Sequence, residues 1–286
     1  MPAAQRRVSN ISLPPQGTVS GSEQNVEKEE MFLCNRLVDD TRKGDAFLKV
    51  DWISWNNPVV SVLQGIKRPV CGMVALCMAG HLLKKHDPNI TIYENDETIL
   101  EVAQRLGYTK QGEMFSAKNY ANLAEEIYQC QTKVITETMI DSVRKILKHL
   151  ASGLPVLVPY DTDRNYEPCK RKGHKAHWAI LTGFVIGQQK RIQESSNVEF
   201  PVKRITNPEE LANNFEKLTL NPSLVYLYAK QGRSARQQLW SLRELSASNA
   251  NLVEVSPERD LNLFHIPQEG IKETLCSHIV FLFPRK

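Results

Sequence analysis

The stretch RPVCGMVALCMAGHLLKKH, residues 68–86, combines a thiol with the beginning of a helix. Apolar residues recur at helical spacing after the cysteine, which predicts a helix over residues 72–85. Cys71 therefore lies at the first turn, where unpaired backbone N–H groups and the helix dipole favour an anion. Gly72 has no Cβ and would let a substrate backbone approach the sulfur. The stretch predicts either a catalytic thiol or a buried cysteine that packs as a small apolar group.

The helix dipole alone cannot ionise Cys71. A dipole favours an anion by roughly 0.3–2 kcal/mol, which corresponds to at most about 1.5 pKa units. A free cysteine has a pKa of about 8.5. An imidazolium about 4 Å away would contribute about 4 kcal/mol at an effective dielectric near 20. A catalytic Cys71 therefore requires a histidine from another part of the chain.

His177 is the best placed of the seven histidines to pair with Cys71. It lies in KRKGHKAHWAILTGF, residues 170–184, where a basic loop runs into an apolar strand. A histidine fixed at a strand end can act as a general base, and Trp178 would shield it from water. We therefore predict that His177 is the base; the alternative is a histidine of a surface loop.

The composition limits the class of protein. Of the 286 residues, 41% are hydrophobic and 24% are charged, as in ordinary soluble domains. No apolar run reaches the length of about 20 residues that crosses a bilayer, and the N-terminal stretch has no signal-peptide pattern. Six cysteines without close-set pairs favour a reducing compartment, so a cytoplasmic location is expected. No basic stripe interleaves with aromatic residues, which argues against nucleic-acid binding.

The hydrophobic patterns predict one folded domain over residues 31–286 after a disordered segment over residues 1–30, which has few large apolar side chains. Helical patterns come first, over residues 72–85, 95–107, 116–130 and 136–153, with one later helix over 208–218. Strand patterns follow, over residues 154–161, 177–187, 223–232, 236–242 and 277–284. This order predicts an α+β fold in which a helical half and an antiparallel sheet half meet at a cleft.

Several segments resemble known peptidases. A Cys-Gly pair opening an apolar helix, followed by HWAILTGF at residues 177–184, is similar to the papain-like superfamily, in particular its bacteriocin-processing branch. A closer resemblance to the actin maturation proteases covers residues 45–286 and is carried by LQGIKRPVCGMVALCMAG, LPVLVPYDTDRNYEPCKRKGHKAHWAILTGF, LYAKQGRSARQQLWSLRELSASNANL and HIVFLFP. The resemblance implies a papain-like fold and a cytosolic cysteine aminopeptidase. Such an enzyme removes the acetylated N-terminal Met or Cys from newly made actin, without a metal or organic cofactor.

The resemblance also assigns roles to individual residues. Cys71 corresponds to the nucleophile and His177 to the general base. Gln64, seven residues before Cys71, corresponds to the oxyanion-hole glutamine, although the spacing is slightly longer than usual. The Asn or Asp that usually orients the imidazole is absent from its expected motif. We take Gln231 as the orienting residue, because an amide oxygen can accept a hydrogen bond from imidazole, with Asn249 as the alternative.

The loop CKRKGHK, residues 169–175, suggests how an acidic substrate would be attracted. It carries four cations just before His177, namely Lys170, Arg171, Lys172 and Lys175. If His177 lines the cleft, these cations lie at its mouth and would attract the acidic N-terminus of actin; the alternative is a solvated turn. Some mammalian members of the family carry a proline-rich N-terminus thought to bind profilin. This chain has only SLPPQG there, so profilin is weakly supported as a partner.

Two other functions fit the sequence. Cys169, His174 and His177, with a carboxylate such as Asp161, could form a zinc site, although Cys-x4-His-x2-His is not a common zinc pattern. A papain-like fold that has lost activity could serve as an actin-binding module, since the usual Asn or Asp is missing. Metal analysis would identify the zinc site, and alkylation of the cysteine at mildly acidic pH would separate a protease from a binding module.

Overall fold

The chain was analysed as a computed structural model, which describes residues 23–42, 49–59, 61–62, 69–190, 202–205, 207, 215 and 218–285. Gln64 lies outside these residues, and so does most of the helix predicted over residues 208–218. No helix in the described ranges is both long enough and apolar enough to cross a bilayer.

An eight-stranded sheet forms the centre of the described part of the chain. Among the described residues, the strand pairs are antiparallel except for a short parallel contact between β1 and β5. The longest strand, β4, pairs with β1, β3 and β6, and it carries His177 near its beginning. The strands are β1 Lys49–Asn56, β2 Gln131–Ile135, β3 Val156–Asp161, β4 Ala176–Lys190, β5 Lys203–Arg204, β6 Val225–Lys230, β7 Gln238–Ser241 and β8 Ile279–Phe283.

Seven α-helices surround the sheet in the described ranges. They are α1 Glu23–Arg42, α2 Cys71–Lys84, α3 Glu97–Arg105, α4 Ala117–Tyr128, α5 Val143–Ala151, α6 Leu242–Asn249 and α7 Ile271–Thr274; short 3-10 turns occupy Pro222–Leu224 and Leu261–Leu263. The fold is α+β, as predicted, with helices α2 to α4 preceding most of an antiparallel sheet. Two strands differ from that order, because β1 and β2 come from the helical half and still join the sheet.

Successive side chains of β3 point to opposite faces of the sheet and pack in two different hydrophobic clusters. Leu157 faces the same cluster as α2, α3 and α4, whereas Val156 and Val158 face α5 on the other side. The predicted helical half therefore divides, and α5 covers the opposite face of the sheet. The helix α2 is almost completely buried between β4 and α4, which fixes the position of its first residue, Cys71.

The helix α1 includes residues 23–30, which the sequence analysis assigned to a disordered segment. Glu30 is buried, and its Oε1 accepts a hydrogen bond from Asn56 Nδ2 at 2.6 Å. Its Oε2 lies 3.4 Å from Arg204 Nη2. The prediction failed at residues 23–30 because polar side chains can be buried when the sheet supplies partners. The remainder of that segment, residues 1–22, lies outside the described residues.

Candidate active site

Cys71 and His177 line the same cleft, which has a volume of about 210 Å³. Cys71 comes from the N-terminus of α2 and His177 from the beginning of β4. The helical half and the sheet thus each contribute one side chain, as the sequence analysis expected. Three cationic residues line the cleft as well, namely Lys175, Arg233 and Arg259.

Cys71 is the first residue of α2, and no side chain caps this helix end. The backbone N–H groups of the first turn therefore remain available to a negative charge. Gly72 has a packing role that the sequence analysis did not foresee. A Cβ there would lie 3.2 Å from Met114 Cγ and 3.3 Å from Tyr120 Cε2. The glycine thus permits close contact between α2 and its neighbours; nothing in this geometry requires it for substrate access.

His177 is buried among aromatic residues, with 8% of its surface exposed. Its ring centroid lies 5.7 Å from that of Tyr160 and 5.9 Å from that of Tyr166. Tyr166 has a left-handed backbone, with φ of 62°, and Tyr160 Oη donates a hydrogen bond to its carbonyl oxygen at 3.0 Å. Trp178 Nε1 donates to Met114 O at 2.9 Å, and the indole lines the cleft beside His177. These contacts fix the imidazole and limit its access to water.

The pKa of His177 is lowered to about 4, mainly by burial. The charge of Arg233 lowers it further, and the nearby side chain of Gln231 partly opposes both effects. His177 is therefore neutral near pH 7, when its free ring nitrogen can accept a proton. This differs from the imidazolium expected from the sequence, because burial disfavours the charged form of the ring.

Burial also raises the pKa of the Cys71 thiol. Hydrogen bonds from the backbone N–H groups of Trp178 and Gly72 oppose this effect, as do the charges of Arg259 and Arg233. Near pH 7 the cleft is therefore lined by a neutral thiol and a neutral imidazole. Such a pair suits proton transfer during attack on a carbonyl, since the groups that would stabilise a thiolate are already in place.

Gln231 directly follows the last residue of β6, and its side chain is close enough to His177 to affect the pKa of the imidazole. It is buried, and its Oε1 accepts a hydrogen bond from the backbone N–H of Arg233 at 2.6 Å. Among the described residues, His177 Nε2 and Gln231 Nε2 are both buried without a hydrogen-bond partner. The alternative, Asn249, uses its amide elsewhere, because Nδ2 donates to Pro159 O at 2.8 Å and to His278 O at 3.0 Å. Of the two candidates, Gln231 is the one whose side chain affects the pKa of His177.

The basic loop is organised around a buried carboxylate, Asp161. Its Oδ2 accepts hydrogen bonds from the backbone N–H groups of Arg171 and Gly173, the latter at 3.0 Å, and its Oδ1 accepts one from Lys175 at 3.1 Å. Of the four cations predicted to bind substrate, Lys175 lines the cleft; Lys170, Arg171 and Lys172 are exposed and do not. Lys172 Nζ instead lies 3.4 Å from Glu254 Oε1.

The cleft contains two cations that the sequence analysis missed. Arg233 follows Gln231 by two residues, so its position at the end of an apolar strand was a usable signal. Arg259 lies in an irregular segment after α6, and no local pattern in the sequence marks it. Its position depends on tertiary contacts.

The residues of the suggested zinc site do not come together. His174 Nε2 is 2.9 Å from Glu254 Oε1, His177 lies in the cleft, and Asp161 is occupied by backbone N–H groups. Burial, followed by the charge of Asp161, raises the pKa of the Cys169 thiol to about 11. Within the described residues, no group of three or more His, Cys, Asp or Glu side chains could hold a metal ion.

Known proteins with similar sequences belong to one family. Residues 59–185 match the family described as "Actin maturation protease-like, C-terminal domain". The actin maturation protease of Xenopus tropicalis is 40% identical over 83% of this chain and 76% of the relative. Those of Danio rerio and Homo sapiens are 36% and 35% identical, over 86% and 90% of this chain and 79% and 72% of the relatives.

A C39-like peptidase structure from Bacillus anthracis aligns with 82% of this chain and 99% of its own, at 10% identity. The TM-score of this alignment is 0.43. The sequence relatives cover most of both chains at 35–40% identity. They show that this chain belongs to the actin maturation protease family.

Proposed function

We propose that this chain is a cysteine aminopeptidase that removes the acetylated N-terminal residue, Met or Cys, from newly made actin. The observation that carries the proposal is the shared cleft of Cys71 and His177 in a member of this family. The thiol is at a helix N-terminus and the imidazole is neutral near pH 7, so the two groups have the protonation states that general-base attack requires.

The acylation step uses both residues. His177 takes the thiol proton of Cys71 as the sulfur attacks the carbonyl carbon of the first peptide bond. The carbonyl electron pair moves to oxygen, and the backbone N–H of Cys71, together with Gln64, is proposed to stabilise this oxyanion. When the C–N bond breaks, His177 gives the proton to the leaving amine, which is the new N-terminus of actin.

The deacylation step releases the removed residue. His177 takes a proton from water while the water oxygen attacks the thioester carbonyl. The C–S bond then breaks, the sulfur regains a proton, and the acetylated amino acid leaves as a carboxylic acid. Gln231 keeps the imidazole in its orientation during both steps. No metal or organic cofactor is required by this sequence of steps.

Charge and compartment complete the proposal. Actin presents an acidic N-terminus, and Lys175 on the cleft wall, with Lys170, Arg171 and Lys172 nearby in the chain, is proposed to attract it.

Newly made actin is cytoplasmic, so we place the enzyme in the cytoplasm as well. Profilin stays a weakly supported partner. We retain the division of the chain into an N-terminal segment and a peptidase domain, with α1 assigned to the domain.

The test is incubation of the full chain with acetylated peptides that begin Met-Asp or Met-Glu, followed by mass spectrometry. We expect loss of one acetylated residue with the wild type and none with Cys71→Ala. Cys77→Ala is the matched control, because Cys77 is buried in the same helix and its thiol donates to Asn95 O at 3.1 Å. This control should retain activity and lose stability.

A catalytically inactive actin-binding module is the second candidate, favoured by the missing Asn or Asp. It predicts that the peptides bind but stay intact with the wild type. It also predicts that Cys71→Ala binds as well as the wild type does. Substantial turnover by Cys71→Ala would contradict the proposed mechanism directly.

A further inference from the structure

Arg259 lies in the cleft with its guanidinium held against two aromatic rings. Its Cζ atom is 5.4 Å from the ring centroid of Phe264 and 6.0 Å from that of Phe115. In the described part of the chain, no carboxylate forms an ion pair with it. Contact with aromatic faces leaves the N–H donors at the edge of the guanidinium available. Arg259 therefore presents a positive charge in the cleft that no carboxylate of the described residues pairs with.

The segment that carries Arg259 is attached to the helical half by hydrogen bonds. The backbone N–H of His265 donates to Glu113 Oε1 at 2.6 Å, and Lys110 Nζ donates to Asn262 O at 2.7 Å. The backbone N–H of Arg259 donates to Ser256 O at 3.1 Å. These bonds hold the cation at a fixed place on the cleft wall.

Glu113 also lines the cleft, and backbone N–H groups hold its carboxylate in place. Its Oε1 accepts the backbone N–H of Lys110 at 2.9 Å in addition to that of His265, and its Oε2 accepts the N–H of Gln111 at 2.9 Å. Among the described residues that line the cleft, Glu113 is the one carboxylate, against the three cations Lys175, Arg233 and Arg259. The cleft therefore keeps an excess of positive charge.

Arg233 contributes a second guanidinium to the same cleft. The charges of Arg259 and Arg233 both lower the pKa of Cys71, with the larger effect from Arg259. Both cations thus act on a negative charge near the sulfur. An anionic group of a bound substrate close to the scissile bond would experience the same field.

We propose that Arg259, assisted by Arg233, binds the side-chain carboxylate of the substrate residue that follows the scissile bond. This inference rests on the proposed function, in which a single acetylated residue occupies the cleft on the other side of that bond. An arginine can form two parallel hydrogen bonds with the two oxygens of a carboxylate. The side-chain amide of Asn has only one oxygen and no negative charge, so it cannot accept this pair of bonds. The enzyme should therefore distinguish Asp from Asn at the second position of the substrate.

The experiment compares two peptides, acetyl-Met-Asp-Gly-Gly and acetyl-Met-Asn-Gly-Gly, which differ in one carboxylate. The wild type should cleave the Asp peptide with a kcat/KM about ten-fold higher or more, the range expected for charge-assisted hydrogen bonds. Arg259→Gln should remove most of this preference, mainly by raising KM for the Asp peptide. Arg259→Lys should keep part of it, because it retains the charge without the paired donors.

Arg164→Gln is the matched control, since it removes the same charge from an exposed residue that does not line the cleft. It should leave both peptides unaffected. A merely structural role of Arg259 would lower kcat/KM equally for the two peptides and leave their ratio unchanged. An Asp-to-Asn ratio that is the same in the wild type and in Arg259→Gln would overturn the inference.

A binding measurement separates this inference from the proposed function. Fluorescence anisotropy with labelled peptides is measured on Cys71→Ala and on Cys71→Ala combined with Arg259→Gln. Tighter binding of the Asp peptide that is lost with Arg259→Gln supports the carboxylate site, even if the wild type cleaves neither peptide and the proposed function fails. Equal binding of the two peptides by Cys71→Ala contradicts the carboxylate site, whether or not the wild type is a peptidase.

Discussion

At the residue scale, the pKa of His177 determines the acidic limit of activity. The general base works only when neutral, and its pKa is about 4. We expect kcat/KM to stay high on acidification until the pH approaches that value, because kcat/KM reports the ionisation of the free enzyme. Arg233 lowers the pKa of His177, so Arg233→Gln should move the acid limb to higher pH.

This prediction is checked by measuring kcat/KM from pH 4 to pH 8 for the wild type and the variant. Arg164→Gln serves as the control, because it removes an exposed arginine outside the cleft. An acid limb that is identical in the wild type and in Arg233→Gln would mean that Arg233 does not act on His177.

The reactive pair could be predicted from the sequence, but its electrostatics could not. Cys71 is marked by a helix start and His177 by the change from a basic loop to an apolar strand. Burial of the imidazole, however, depends on Tyr160 and Tyr166, which approach it through the fold. Arg259 lies in the cleft because Glu113 and Lys110 hold its segment by hydrogen bonds. The residues joined by these bonds are more than a hundred positions apart in the sequence, so no local pattern predicts them.

At the scale of elements, close contact between α2 and α4 positions the nucleophile. Gly80 lies on the buried side of α2, and a Cβ there would be 2.7 Å from Tyr128 Oη. Tyr128 Oη also donates to Leu76 O at 2.8 Å, so the ring cannot move without losing a hydrogen bond. We expect Gly80→Ala to lower the free energy of unfolding by about 1–3 kcal/mol, as overpacking does in other cores.

A double variant provides the control for this contact. Tyr128→Leu removes the hydroxyl and part of the ring that the new methyl group would meet. Gly80→Ala combined with Tyr128→Leu should therefore cost less than the sum of the two single changes in urea unfolding. Strict additivity would show that the helices do not compete for this space.

Elements with a strong hydrophobic period could be predicted, and those defined by tertiary contacts could not. The helix α2 and the strand β4 agree with their predicted positions within a few residues, and Ser116 caps α4 by accepting the N–H of Asn119 at 3.2 Å. The strand β2 was missed because QTKVI is short and mostly polar. It exists because it pairs with β8 along its full length.

At the scale of the whole molecule, two buried histidines link stability to pH. His149 packs with its ring centroid 4.5 Å from that of Phe281, and burial lowers its pKa from 6.5 to about 4, like that of His177. Both stay neutral in the folded state while the unfolded chain takes up protons below pH 6.5. Stability is therefore fully present above that pH and is lost as the pH falls toward 4, by about 1.4 kcal/mol per pH unit for each histidine.

Urea unfolding at several pH values between 4.5 and 7.5 measures this slope. His149→Gln removes one of the two histidines whose pKa falls to about 4, and it can still donate a hydrogen bond to Pro155 O, which lies 3.1 Å from His149 Nε2. We expect the variant to lose stability more slowly than the wild type between pH 6.5 and pH 4.5, because the unfolded chain takes up one proton fewer. An unchanged slope would show that His149 is not buried in its neutral form.

The central claim is that Cys71 forms a covalent intermediate with the N-terminal residue of the substrate. The most direct measurement is intact mass spectrometry of the full chain, mixed with an acetylated Met-Asp peptide and quenched in acid within the first turnover. We predict an added acetyl-methionyl group on the wild-type chain, mapped to Cys71 by proteolysis, and none on Cys71→Ala. Cleavage that proceeds without this adduct, or an adduct on another cysteine, would contradict the mechanism.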